Sequence, residues 1–209
     1  MKAVTGAIVA GEFLERANPS MFTWIRGFHD LDDRARLNAA LYYGPVWKEH
    51  RSQMNELLVD SDNVLLLRPL DPQGGVAILP AVDPANEVGG PRGVVIAQVF
   101  RMVPEKKLVL QQQATRVFDA YRLSGAREAG VLVSLETPNN FPQLPIRTDG
   151  PYLVWLGILK DEETLEKSFR KLAEKVAQSM SEAGFLRSSP ELIVLDPAPY
   201  SRMRWLAGW

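Results

Sequence analysis

The sequence predicts an α+β chain of two tandem β-α-β-β-α-β units, the first lacking its front, and three observations predict it. One is an internal echo: FTWIRGFHD at 22–30 lines up with LVWLGILKD at 153–161, with Trp24 on Trp155 and Asp30 on Asp161 at the same offset. Self-similarity at a fixed spacing marks a repeated structural unit. The second is the later half, where GVVIAQVFRMVP (93–104) and GVLVSLE (130–136) read as strands flanking a helical face of Leu110, Ala114, Val117, Phe118 and Tyr121. The third is PLDPQGGVAILPAVDPANEVGGPRG (69–93), whose prolines and glycines punctuate the chain as a linker. The expected organisation is an incomplete unit over 1–72, a linker over 73–92 and a complete unit with a C-terminal arm over 93–209. The complete unit has the ferredoxin-like order, an antiparallel sheet covered by helices on one face.

Taken in order, Gly6 to Phe13 reads as a short strand and 22–28 as a second. Asp30 follows as a helix cap, its carboxylate accepting first-turn N–H groups. Leu37 and Leu41 mark that helix, and Gly44-Pro45 ends it and opens another, because proline is tolerated in a first turn where its missing N–H has no partner anyway. The new turn carries Trp47, Lys48, His50 and Arg51. Asp60-Ser61-Asp62-Asn63 is a turn leading into the apolar run Val64 to Leu67. In the second unit Asp161 caps a helix with Leu165, Phe169, Leu172, Val176 and Met180 at helical spacing. LLLRPLDP from Leu65 and LIVLDPAP from Leu192 read as the two closing strands. GAIVAGEFLE (6–15) matches GVLVSLE, so the first unit is expected to start at its own second strand, leaving an edge and an apolar face for something to cover. The segment 137–151 reads as a proline-rich loop, the VAIL of the linker as an edge strand or an adhesive segment, and YSRMRWLAGW as an arm that docks on another surface.

GPVWKEHR followed by VDSDNVLLLRP resembles the NIPSNAP family, a group of dimeric α/β-barrel proteins built from ferredoxin-like units. The resemblance implies a fold and a way of pairing, as a homodimer, and the leading reading is a cytoplasmic small-molecule-binding or assembly module without demonstrated catalysis. Two alternatives stand beside it. One is a cofactor-independent monooxygenase acting on a small aromatic substrate in a barrel pocket, and the other is a ligand-free interaction scaffold.

Composition narrows the chemistry. With 24 basic and 25 acidic residues the chain has no broad attraction for nucleic acid or anionic membrane. It has no cysteine, which removes disulfides, thiolate catalysis and cysteine-built metal sites and suits a reducing compartment. No stretch is long and apolar enough to span a bilayer. Two histidines, His29 and His50, offer no metal-ligand spacing. Neither a metal, a cofactor nor a catalytic residue is assigned.

The candidate ligand-binding residues are Arg26, Trp24, Trp47, His50 and Arg51. Alternation on a strand puts Arg26 on the same side as Trp24 and Phe28, so a guanidinium points where apolar groups point. It either holds an anionic ligand group or pairs with an acid, Glu12 being the candidate. His50, beside Trp47 and Arg51, is a proton carrier, a haem ligand or a polar residue at the rim of a packed helix. His29 is a turn residue, and Trp24 and Trp155 are expected to share one packing role.

Overall fold

Seven strands make one antiparallel sheet in the computed structural model, which describes residues 7–56 and 61–208. They are β1 (Ile8–Glu15), β2 (Asn18–Gly27), β3 (Leu67–Pro69), β4 (Val94–Arg101), β5 (Arg127–Ser134), β6 (Tyr152–Leu159) and β7 (Glu191–Pro197). Helices α1 (Leu31–Tyr42) and α2 (Pro45–Glu56) follow β2, and α3 (Lys107–Leu123) joins β4 to β5. The fourth, α4, opens as Glu162–Thr164, widens into a π-helical turn over Leu165–Phe169 and continues as Arg170–Glu182. Asp30 and Asp161 cap α1 and α4, accepting from the Asp33 and Thr164 amides at 2.8 and 2.9 Å.

The strand order, β2-β1-β7-β4-β6-β5-β3, overturns the expectation of two tandem ferredoxin-like units. The sheet is one continuous, curled half-barrel. Strands from the first third of the chain flank the four later ones, with β1–β2 joining through β7 and β3 joining through β5. The echo between 22–30 and 153–161 is a likeness of strand and cap, not of architecture. Each copy needs an apolar run ended by an aspartate, and that local demand produces the match.

The central strands β4 and β6 read as near-continuous apolar runs because both faces of the sheet are covered. On one face Ile96, Phe100 and Trp155 meet Leu110, Phe118 and Tyr121 of α3 and Leu165, Phe169 and Val176 of α4. Trp155 is fully buried, stacked on Phe169 at 5.4 Å and edge-on to Tyr121 at 4.8 Å. Two polar groups in this core are satisfied internally. The Tyr121 hydroxyl donates to Gln98 Oε1, and Gln98 Nε2 donates to the Ala173 carbonyl at 3.3 Å. Burial pushes the Tyr121 hydroxyl pKa up.

On the other face Val95, Val154, Leu156 and Leu195 pack against Phe13, Leu79 and Met203. Here the chain covers its own sheet. The linker segment Val76–Leu79 lies on β5, with Ala77 N–H bonded to the Ala129 carbonyl at 2.8 Å and Leu79 buried. Gly130 permits that approach, since a Cβ there would sit 3.0 Å from the Gly75 carbonyl oxygen. The C-terminal arm lies alongside, with Met203 buried, its amide bonded to the Ala10 carbonyl at 2.9 Å, and the Arg127 guanidinium 3.6 Å above the Trp205 ring. Arg204, 1% exposed, bonds both carboxylate oxygens of Glu87 and the carbonyls of Pro80 and Arg202. The described part of the arm therefore docks on its own chain, which corrects the expectation of an outside surface. Trp209 and Asp60 lie outside the described residues.

Candidate functional site

β2 and α1 bring a guanidinium, two aromatic rings and a buried carboxamide to one small cavity. Trp24 and Arg26 alternate down one side of β2, and Phe28 follows just past its end. Val9 stands opposite Arg26 in the β1–β2 register, and α1 lowers Leu37, Asn38 and Leu41 onto the same space. The cavity among them is about 10 Å³, room for a single water molecule.

The Arg26 guanidinium carbon lies 4.3 Å from the centre of the Trp24 ring and 5.6 Å from that of Phe28. Its Nη1 donates to Asn38 Oδ1 at 3.1 Å. Burial holds the Arg26 pKa below the ordinary arginine value, with the Tyr42 hydroxyl acting in the opposite sense. Asn38 is 1% exposed, and its Nδ2 has no hydrogen-bond partner. A buried carboxamide with two free N–H donors costs free energy unless something in the cavity accepts them.

One helical turn before Asn38, Arg34 is 4% exposed. Its Nη1 donates to Asn139 Oδ1 at 3.0 Å and Asn140 Oδ1 at 2.7 Å, both on the loop between β5 and β6. Burial first and the Arg26 charge second hold the Arg34 pKa down. The same loop supplies Phe141, whose ring lies 6.0 Å from Tyr42. Thus α1 is a roof fastened at one side by Asn139–Phe141.

The five candidate residues separate. Trp24 and Arg26 line the cavity. Trp47 stands one layer back, edge-on to Tyr42 at 4.9 Å. His50 and Arg51 point outward from α2, which buries none of its residues. Among the described residues no carboxylate lies within ion-pair distance of Arg26, so the expected pair with Glu12 is absent even though the register sets Glu12 opposite Trp24, on the same face. Trp24 and Trp155 do not share a role, the first lying half-buried under a cation and the second filling the core.

Sequence reasoning missed Asn38 and Arg34. The signal was present, because both interrupt the apolar stripe of Leu37 and Leu41 with polar groups on the sheet-facing side. Among the described residues one group is spaced for a metal ion, His29, Asp30 and Asp33, but Asp30 already caps α1 and Asp33 pairs with Arg36.

No protein-family model matches the chain, and no curated protein matches it by sequence. Two solved structures resemble it. One is a Lactobacillus acidophilus NCFM protein provisionally named a monooxygenase, with a TM-score of 0.53 and 9% identity over 94% of this chain and 80% of that one. The other is an anthrone oxidase-like protein, with a TM-score of 0.46 and 12% identity over 100% of this chain and 86% of that one. The NIPSNAP resemblance carried by Trp47–Arg51 and the aspartate-rich turn therefore finds no support, and the tandem-repeat reading falls with the single sheet. The expectation of a NIPSNAP-type module without demonstrated catalysis finds no support either, the likeness in fold being to a protein named for oxygenase chemistry. No helix among the described residues is long and apolar enough to cross a membrane.

Proposed function

We propose that the chain is a monooxygenase- or oxidase-type enzyme acting on a small aromatic substrate held between β1–β2 and α1, with no added cofactor. One observation carries this. A half-buried guanidinium without a carboxylate partner among the described residues lies over a tryptophan, beside an unpartnered carboxamide donor. Trp24 and Phe28 give a planar substrate its faces, while Arg26 and Asn38 Nδ2 give donors to an oxygen that gains negative charge. The fold shared with a protein named as a monooxygenase supports the same class.

In the reaction so framed, an acidic methylene beside an aromatic ketone loses a proton to Glu12. The charge moves onto the ketone oxygen, where Arg26 and Asn38 hold it. The resulting carbanion gives its electrons to dioxygen, the O–O bond breaks, one oxygen stays on carbon as a new carbonyl and the other leaves as water. Methylene plus dioxygen gives carbonyl plus water, so the substrate is the sole reductant. Because the cavity holds one water, the roof must lift to admit substrate. The side held by the Arg34 bonds to Asn139 and Asn140 resists this, and the side toward α2, which buries nothing, is the one that gives.

The expectations of a homodimer and a cytoplasmic setting belong to the same proposal. The exposed pair Leu14 and Phe22, opposite each other on the edge formed by β1 and β2, and the absence of cysteine support them. The test is dioxygen uptake with a panel of small enolisable aromatic ketones. Uptake should match product carbonyl one to one and fall about a hundredfold or more in Arg26→Gln. A panel member that binds in the cavity without any uptake, for every such member, would overturn the proposal.

A further inference from the structure

Arg34, buried on α1, and Arg26, half-buried on β2, stand on adjacent elements, and among the described residues neither has an acid within ion-pair distance. The comparison within this chain is Arg204, as deeply buried as Arg34 and held by both oxygens of Glu87. Arg34 has the neutral oxygens of Asn139 and Asn140, and Arg26 those of Asn38 and the Tyr42 hydroxyl. Among the described residues neither forms an ion pair, and the charge of Arg26 itself depresses Arg34. A buried charge without a counter-ion is costly, and folded proteins carry such charges where a ligand neutralises them. The unpartnered Nδ2 of Asn38, which lines the cavity beside Arg26, adds a donor to the same space.

Resting on the site proposed above, we infer that its substrate is an aromatic oxyanion, a planar ring system bearing a permanently ionised group such as a carboxylate, which acts as the counter-ion that Arg26 and Arg34 lack. Arg26 is the direct contact, since it lines the cavity. Arg34, on the turn of α1 above Asn38, adds field to the site and is a positioning residue.

The experiment is isothermal titration with 2-naphthoate and with 2-naphthamide, which share a shape and differ in charge, on the full chain and on Arg34→Met and Asn38→Asp. Naphthoate should bind about tenfold or more tightly than naphthamide, with the preference shrinking in Arg34→Met. Asn38→Asp places a carboxylate beside Arg26, so it should raise Tm by about 3 °C and abolish naphthoate binding. Equal affinity for the amide, no binding of either probe, or a lowered Tm in Asn38→Asp would overturn the inference, as would sulfate alone reproducing the response to naphthoate. Dioxygen uptake separates this result from the enzymatic one. Charge selectivity without uptake by any ketone sinks the enzyme and keeps the oxyanion site, whereas uptake with neutral ketones and no charge selectivity does the reverse.

Discussion

Replacing Arg204 with methionine tests whether the C-terminal arm is part of the fold. Methionine keeps much of the buried volume and removes every hydrogen bond. The lost contacts are both Glu87 oxygens, the carbonyls of Pro80 and Arg202, each 2.9 Å from Nη1, and the Ala81 carbonyl 3.4 Å from Nη2. Removing one partner of a buried pair typically costs about 3–5 kcal/mol because the other charge is stranded. Glu87 softens that cost here, since its side chain is 17% exposed and still accepts the Asp83 amide at 3.0 Å. The expected loss is therefore about 3 kcal/mol, which lowers Tm by about 6–12 °C for a chain of this size. Urea denaturation followed by circular dichroism at neutral pH measures it, and Glu87→Gln should give a smaller loss that is not additive with the first. The same pair sets a pH dependence. The Arg204 guanidinium, through its hydrogen bonds, holds the Glu87 carboxyl below its ordinary value. Its contribution is thus fully present above the ordinary glutamate range and is lost as pH falls through that range to the lower folded value. A loss under about 1 kcal/mol in Arg204→Met, with no change in acid sensitivity, would mean that the arm does not hold the inner face of the sheet.

Two further substitutions probe the helix-covered face, beside the uptake and titration experiments already described. Gly157→Ala should destabilise by about 3 kcal/mol or more, because the added Cβ would meet the Trp155 ring at 2.0 Å and that ring is wedged between Phe169 and Tyr121. A thermal melt within a degree of the parent would show that the ring has room to move. Tyr121→Phe should cost about 1–2 kcal/mol in urea, since it strands the buried Gln98 Oε1.

Much of the local structure was legible in the sequence, for a physical reason. Alternation and helical spacing are set by burial of one face, so β4, β5, β6 and the stripe of Leu110, Ala114, Phe118 and Tyr121 stand where the residues place them. The caps Asp30 and Asp161 and the break at Gly44-Pro45 are equally local. The order of strands is not local. Nothing near Phe13 names Pro197 as its partner, and a repeated strand-and-cap motif invited division of a sheet that is undivided. The candidate site was half visible. Trp24 and Arg26 announce a common face by spacing alone, but the cost borne by Arg26 depends on what stands opposite, and that is Asn38 and not Glu12. His50 and Arg51 attracted notice as a dense polar run, which on α2 is a solvated surface.

The placement of β1 between β2 and β7 has a consequence for how the molecule is made. Phe13 pairs with Pro197 and Glu15 with Leu195, so the hairpin bearing Trp24 and Arg26 is synthesised well before the strand that seats it. Closing so long a loop is slow, and until it closes the hairpin offers unpaired backbone on both sides. Chains interrupted before β7 should therefore retain the β4–β6 pairing while leaving the candidate site unmoored, and nascent chains of that length are the ones in which a chaperone has most to protect.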